Sequence, residues 1–412
     1  MFCPIWKTKV DYVKYVNIST SKRYNITTFF NNFALYFKGA LEAYIQQALF
    51  ILFQLCFIVQ LYYLISNHSK LSGYKPRQEL PQPTVPVSVI ISARNEAKNL
   101  IVYLPYILQQ NYPDYEVVVV NDRSTDDTAD VLREIQQEFA HLKIVTVTES
   151  EKHRTGKKFA LTMGIKAAKY EHFLFTDADC KPATLDWITR MAANFNASTY
   201  IVLGYSPYIK TRNFLNPFIR FETLKTAINY LSSALKGDPY MGIGRNLAYT
   251  RSLFFGAKGF ASHMHVMSGD DDLFVNQNGT SVNTTIEIHP DTFTYSDAKS
   301  TLKSWFIQKK RHMGVGKLYK NSHRRMLSLD AVSGFLYYVL LIAFIILKFE
   351  PLLIAGVVLF RLILQFAIYR KIFKKLDCAD LLWWLPFFDM IYYIYLNVFG
   401  LIGTFIKTTR WK

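Results

Sequence analysis

The chain has 412 residues, half of them hydrophobic, and a formal net charge of +17. That length holds one large domain with residues left over for several membrane spans; the charge is spread without a long Lys/Arg run and suits nucleic acid, an anionic membrane face or phosphate-bearing substrates equally well. The four cysteines, Cys3, Cys56, Cys180 and Cys378, have no paired spacing, which excludes a disulfide framework and a zinc site and fits a reducing compartment.

Residues 1–43 are mixed, aromatic and basic without a clean period, and read as a surface-lying segment or one of little fixed structure. Residues 44–66 carry no charge and are long enough to cross about 30 Å of hydrocarbon as a helix. This run starts too far from Met1 for a cleavable signal peptide, and no small-residue cleavage site closes it, so it is expected to be an anchor. Residues 67–86 form a linker, because the prolines between Lys75 and Pro86 deny it a helix. The triplets at Asn17, Asn67 and Asn278 read as chance matches to the glycosylation pattern.

The texture changes at Val87. Val87–Ser92 reads as a strand, Leu100–Gln110 as a helix and Glu116–Val120 as a buried parallel strand. Helix Thr128–Phe139, strand Ile144–Val147, helix Lys157–Ala168 and strand His172–Thr176 follow. This alternation predicts a doubly wound α/β domain. After about residue 327 apolar runs return: Ala331–Leu347 and Pro351–Tyr369 read as a helical hairpin, with Arg361 expected to snorkel to the interface. Basic Arg370–Lys375 comes next, then Leu381–Ile406, where Pro386 and Asp389 leave both a single tilted span and a re-entrant pair open. The basic flanks Lys70–Arg77, His323–Arg325 and Arg370–Lys375 place residues 67–327 in the cytoplasm. The same orientation puts the basic residues of 1–43 on the outer face, against the rule.

Three polar clusters stand out. Ser92–Glu96 and Asp122–Thr128 each follow a strand, where ligands of open α/β sheets gather. Glu96 and Asp122 can accept from a base N–H or a ribose hydroxyl, whereas Ser124 and Asp126 suit helix capping as well as ligand contact. In Phe173–Asp179 an apolar strand ends in Asp177-Ala178-Asp179; alternate side chains of an extended stretch share a face, so both carboxylates can reach one hard cation and its bound diphosphate. In Ser268–Phe274, Asp270, Asp271 and Asp272 are adjacent, and crowded carboxylates raise at least one pKa, as a proton acceptor near neutrality requires. Gly244, Arg245 and Asn246 offer a flexible backbone, a guanidinium and an amide to sugar hydroxyls or phosphate. His263, His265 and His289 read as loop histidines, and Cys180 as structural.

Together these motifs, from about Val87 to Lys317, resemble the membrane-anchored family 2 glycosyltransferases of the GT-A fold, a group that includes processive polysaccharide synthases. The resemblance implies that Glu96 and Asp122 contact the nucleoside, that Lys157 lies near base or phosphates, and that Asp177 and Asp179 hold Mg²⁺ or Mn²⁺. It further implies Asp270 as catalytic base, Asp271 as runner-up, and Gln308 and Arg311 closing over the donor. His312 stands where processive members carry an acceptor-stacking Trp, which puts processivity in doubt; Trp305, two turns back, is the other candidate ring for the acceptor.

The expected organisation is thus segment 1–43, anchor 44–66, linker 67–86, a cytoplasmic glycosyltransferase domain 87–327, and a membrane region 328–412 with two to four apolar segments. The expected activity is inverting transfer from a nucleotide-sugar donor to a lipid-linked or saccharide acceptor at the cytoplasmic face of the cell membrane. Its partners are then donor, acceptor and membrane lipids, with no nucleic acid. The rivals are a nucleotidyltransferase, although Ser92–Glu96 lacks the glycine-rich loop that chemistry favours, and a non-catalytic nucleotide- or glycan-binding protein regulating a partner synthase.

Overall fold

A computed structural model of the chain describes residues 26–83, 85–148, 156–266, 268–312 and 315–405. The chain divides into two compact units, Met1–Gln54 and Leu55–Lys412. In the first, everything described is helical, from Ile26 onward. In chain order the elements are α1 (Ile26–Tyr62), α2 (Ser69–Gly73), β1 (Val87–Ala93), α3 (Ala97–Leu108), β2 (Tyr115–Asp122), α4 (Thr128–Glu138), β3 (Leu142–Val147), α5 (Lys157–Ala167), β4 (His172–Asp177) and β5 (Cys180–Pro182). Then follow α6 (Trp187–Ala192), β6 (Ile201–Leu203), α7 (Asn216–Leu235), β7 (Leu247–Thr250), α8 (Arg251–Gly256), α9 (Asp272–Asn278), β8 (Thr284–Ile286), β9 (Thr294–Ser296), α10 (Leu302–His312), α11 (Asn321–Leu347), α12 (Pro351–Lys375) and α13 (Leu385–Phe405).

Seven strands form one sheet in the order β3-β2-β1-β4-β7-β6-β8. The first four are parallel, with Val89 opposite Val117 and Ser92 opposite Asp177; β7 runs antiparallel to both β4 and β6. Val117–Val120 are fully buried because helices cover both faces, which is why β2 reads as an unbroken apolar run. Each such valine contributes roughly 1.5–3 kcal/mol relative to an exposed one. Val89, Ile91, Val117, Val119 and Leu174 pack on one side with Leu100, Leu104 and Trp187, and Val120, Val147 and Ala160 on the other. Gly164 lets α5 settle on the sheet: a Cβ there would lie 2.8 Å from Val120 Cγ2 and 2.9 Å from Ile90 Cγ2. That close approach puts the N-terminus of α5 beside the carboxyl ends of β1 and β4.

Among the described residues four helices are long and apolar enough to cross a membrane by length and composition: Phe30–Gly73, Asn321–Leu347, Pro351–Lys375 and Ala379–Leu401. The first is helical from Ile26, well before Tyr44, and continues through a π-helical turn at Tyr63–His68 to Gly73, so the expected linker is helical in its first part. Arg361 does not snorkel. It is 2% exposed and donates to Tyr338 Oη (2.9 Å), Gln365 Oε1 (3.3 Å) and Asp389 Oδ2 (2.9 Å). Asp389, fully buried, also accepts from Lys225 of α7 at 3.0 Å. Two cations on one carboxylate outweigh the gain a lone arginine finds at the interface, and with its charge matched Asp389 sits inside α13 without breaking it. The Gln60 that dilutes the first apolar run donates to Asp330 Oδ1 (3.1 Å) and Ser333 Oγ (2.9 Å) in the same interior. Lys375, counted among the basic flanks, donates to the carbonyls of Leu71, Ser72 and Tyr74 and so satisfies the end of α2.

Candidate active site

The loops after β1 and β2 are stapled together before any ligand is considered. Asn95 N donates to Ser124 Oγ (2.9 Å), Thr125 N to Asn95 Oδ1 (2.8 Å), Glu96 N to Thr128 Oγ1 (3.0 Å) and Ala97 N to Asp126 Oδ2 (3.3 Å). Ser124 and Asp126 therefore hold backbone. Asn95 and Arg123 turn these corners at φ 56° and 53°, asparagine being among the residues that reach this region at least cost. Glu96 begins α3 and accepts from Asn99 Nδ2 at 2.6 Å. Asp122 accepts from Arg123 Nε at 2.8 Å, and its second oxygen has no hydrogen-bond partner among the described residues. Ser92 Oγ and Thr176 Oγ1, on the neighbouring strand ends, are equally unsatisfied. Three orphan groups at adjacent carboxyl ends are costly unless a ligand reaches them.

The register puts Ser92 and Asp177 side by side on the α5 face of the sheet. Lys157, in the first turn of α5, lies 2.7 Å from Asp177 Oδ1 and 3.2 Å from Asp270 Oδ2. Burial would lower its pKa, but Asp177 and Asp270 outweigh that and hold it charged. Lys157, Thr176, Asp177, Gly244, Asp270 and Asp271 line one small recess that opens to solvent. Gly269, at φ 94°, makes the turn into the acidic cluster, and a Cβ there would lie 2.6 Å from Leu273 Cδ1.

The three aspartates divide their tasks. Asp271 is committed to backbone: its oxygens accept from Gly244 N (2.6 Å) and Asp272 N (2.8 Å), and it caps α9. Asp272 accepts from Tyr319 Oη (2.9 Å) and Leu273 N (2.7 Å). Burial, then the neighbouring carboxylates, push both pKa values up. Asp270 instead faces the recess with the Lys157 ammonium beside it. Lys158 points away, donating to His263 O (2.7 Å) and Val266 O (3.1 Å), and burial lowers its pKa to about 8.

Asp179 lies in the tight turn between β4 and β5, not in a continuing strand. Burial and then Asp177 raise its pKa, with Arg245 opposing, a repulsion that a bound dication relieves. Among the described residues no three His, Cys, Asp or Glu side chains gather around one point. Two hard carboxylates, Asp177 and Asp179, nonetheless have the donor chemistry that would suit a hard divalent cation. Cys180 is fully buried and its thiol pKa is raised by burial and by Asp179, as its structural reading requires.

Other expected residues are placed differently. Asn246 is fully buried; it donates to Tyr205 O (2.8 Å) and Thr292 O (2.7 Å) and accepts from Trp187 Nε1 (3.1 Å), so its amide ties loops together and is not offered to a sugar. Trp305 is 7% exposed and packs on Phe218, Tyr395 and Phe399, which fixes α10 and withdraws the ring from acceptor stacking. Arg245 stacks over Tyr208, 4.4 Å from its ring centroid, and Gln308 Nε2 donates to Tyr208 Oη at 3.3 Å. Tyr208, which no motif marks, thus links α10 to the recess. The side chains of Arg311 and His312 lie outside the described residues; their backbone completes α10. His263 is bonded to Ser262 and His289 accepts from Asp291 N, in keeping with loop roles.

Residues 88–266 match the family described as Glycosyl transferase family 2. The chain carries a family 2 glycosyltransferase domain. Over 93 residues it is 32% identical to poly-beta-1,6-N-acetyl-D-glucosamine synthase of Staphylococcus epidermidis, covering 23% of this chain and 21% of that one. Over 120 residues it is 32% identical to glycosyltransferase AglE of Haloferax volcanii, covering 29% and 38%. The matched stretch is thus well under two thirds of either relative. Among solved structures, mannosyltransferase PcManGT from Pyrobaculum calidifontis, in complex with GDP-Man and Mn²⁺, superposes at a TM-score of 0.55 over 86% of this chain and 98% of its own, with 19% identity. The family 2 domain here has the GT-A fold.

Proposed function

We propose that this protein is a membrane-anchored inverting glycosyltransferase that moves a sugar from a nucleotide-sugar donor to a lipid-linked or saccharide acceptor, with its family 2 domain in the cytoplasm. The observation that carries this reading is the convergence of Asp177 and Asp270 on the one ammonium of Lys157. It brings the strand end that would hold the donor's diphosphate within reach of a carboxylate able to take a proton. The mannosyltransferase of the same fold holds GDP-Man and Mn²⁺, which supports a similar donor and cation here.

The orphan oxygen of Asp122 and the carboxylate of Glu96 receive N–H and O–H groups of the nucleoside. Asp177 and Asp179 hold Mg²⁺ or Mn²⁺, which when bound offsets the charge that grows on the departing nucleoside diphosphate. Lys157 moves its ammonium from the carboxylates to the diphosphate as the donor enters. Asp270, released from that pair, removes the proton from the acceptor hydroxyl as its oxygen attacks the anomeric carbon, and one displacement inverts the configuration. Asp271 keeps the Gly244 loop in place, and Gln308, through Tyr208 and Arg245, keeps α10 over the site.

The test is a pair of isosteric variants. Asp270→Asn should lower turnover by about 10²- to 10⁴-fold with near-parental donor binding, the range for loss of a general base. Asp271→Asn should cost less, and through loop order. A nearly active Asp270→Asn beside a dead Asp271→Asn would move the base by one residue; activity in both would remove it from the cluster.

A further inference from the structure

The first turn of α5 carries two lysines in succession and no acid, although two ammonium groups at a helix N-terminus oppose the helix dipole. Lys157 is accounted for by the recess. Lys158 is not: it is 3% exposed, points the other way and donates to His263 O (2.7 Å) and Val266 O (3.1 Å). Asp270, Asp272 and Asp271 act on its charge from a distance, in that order, and do not offset its burial. A methionine would fill the same space without a buried charge, so the ammonium is there for the two carbonyls it holds.

Those carbonyls belong to the loop 257–266, which turns back at Lys258 and Gly259 (φ 60° and 58°) and then leans on α9. Phe260 packs its ring on Phe274 of α9, with centroids 6.0 Å apart, and on His263 at 5.9 Å. Ser262 Oγ lies 2.8 Å from His263 Nδ1 and donates to Gln277 Oε1, also of α9, at 2.8 Å. His263 is 1% exposed, and burial, then Lys158, bring its pKa down to about 4, which leaves Lys158 as the cation of this cluster. α9 starts at Asp272 with Asp271 as its cap, and Asp270 is the residue before the cap. The loop thus connects the first turn of α5 to the helix whose start presents Asp270.

We propose that Lys158 is a positioning residue for the transfer: by holding the loop 257–266 to the first turn of α5 it fixes α9, and through α9 the direction in which Asp270 faces the acceptor. The inference rests on Asp270 being the base, as proposed above. It gives the paired lysines separate tasks. Lys157 gives up Asp270 when the donor enters, whereas Lys158, turned away from the recess, keeps α5 and α9 in register at that moment. Register matters because a misplacement of about 1 Å is enough to cost on the order of 10²-fold in rate.

The test reads the hold on the loop and the turnover separately, in the full chain in nanodiscs. Lys158→Met keeps the stem and removes the charge, Lys158→Arg keeps donors for both carbonyls, and Lys158→Gln stands in if the Met variant folds poorly. Amide exchange of the loop 260–266 should rise about threefold or more in Lys158→Met, with β1 and β2 exchanging as in the parent. Turnover is read as nucleoside diphosphate released with Mn²⁺ from UDP-glucose, UDP-N-acetylglucosamine or GDP-mannose, whichever the parent consumes. Lys158→Met should lower kcat about tenfold or more while binding UDP or GDP within about twofold of the parent, and Lys158→Arg should restore most of the rate. In an Asp270→Asn background the same substitution should cost less than about twofold, because a residue acting through the base has nothing left to position. Parental exchange in the loop, a rise spread over the whole sheet, or an equal fold loss in both backgrounds would each overturn the proposal. A near-parental rate in the Asp270→Asn single variant would instead remove the base assignment beneath it.

Discussion

Asp272 is the member of the acidic cluster that costs the fold most, since its carboxylate is crowded by Asp271 and withdrawn from water. Its folded pKa lies above the unfolded value of about 4, so the native state holds more protons through that window and stability falls as pH rises. Asp272→Asn removes the charge while keeping a polar partner for Tyr319. We expect its melting temperature to exceed the parent's by roughly 2–4 °C at pH 8, with the gain vanishing as pH falls toward 4; scanning calorimetry across that range checks the sign. Asp179 makes a different test. If it shares a cation with Asp177, Asp179→Ala should weaken binding of a nucleoside diphosphate more than of the nucleoside, and a chelator should do the same to the parent. Equal weakening of both ligands, read by titration calorimetry with UDP and GDP against uridine and guanosine, would make Asp179 structural.

At the scale of elements the buried charges joining α7, α12 and α13 set the ranking of damage. Asp389→Leu strands Lys225 and Arg361 together, whereas Lys225→Met leaves Asp389 paired with Arg361. Removing one partner of a buried pair costs about 3–5 kcal/mol, so both variants should unfold earlier in denaturant, Asp389→Leu by the larger margin. This interior marks where sequence reading stopped. The parallel strands were legible because burial on both faces leaves unbroken runs such as Val117–Val120, and the carboxyl-end clusters because polar residues follow those runs abruptly. β6, β7 and β8 have three or four residues each and carry no such signature. Arg361 and Asp389 each looked like an isolated fault in an apolar helix, because their pairing depends on Lys225, a residue outside every apolar run. Trp305 and Asn246 were misjudged for a related reason: a residue type that recognises sugars is equally good at filling a core or tying loops, and only tertiary packing separates the two.

Within Leu55–Lys412, the sheet-bearing domain shares one interior with α11, α12 and α13. Lys225 reaches Asp389 and Tyr369, His68 reaches Asn229 and Tyr369, and Arg220 holds Asp380. A fragment limited to residues 87–327 would keep its central strands but leave Lys225 and Arg220 without their carboxylates. We expect such a fragment to be recovered mainly as aggregate or as a monomer of clearly lower melting temperature than the full chain in detergent. A fragment as stable as the full chain would show that the shared interior contributes little.

The Lys225–Asp389 contact also bears on how the chain is made. Lys225 leaves the ribosome 164 residues ahead of its partner, an interval on the order of 10–30 s at ordinary synthesis rates. Throughout that interval the Lys225 ammonium lacks its hydrogen-bonded carboxylate, so the stretch of α7 around it stays open to water until α13 has emerged. Nascent-chain proteolysis should therefore find the region around α7 cleavable until very late, and its protection should arrive in one step with the last helix.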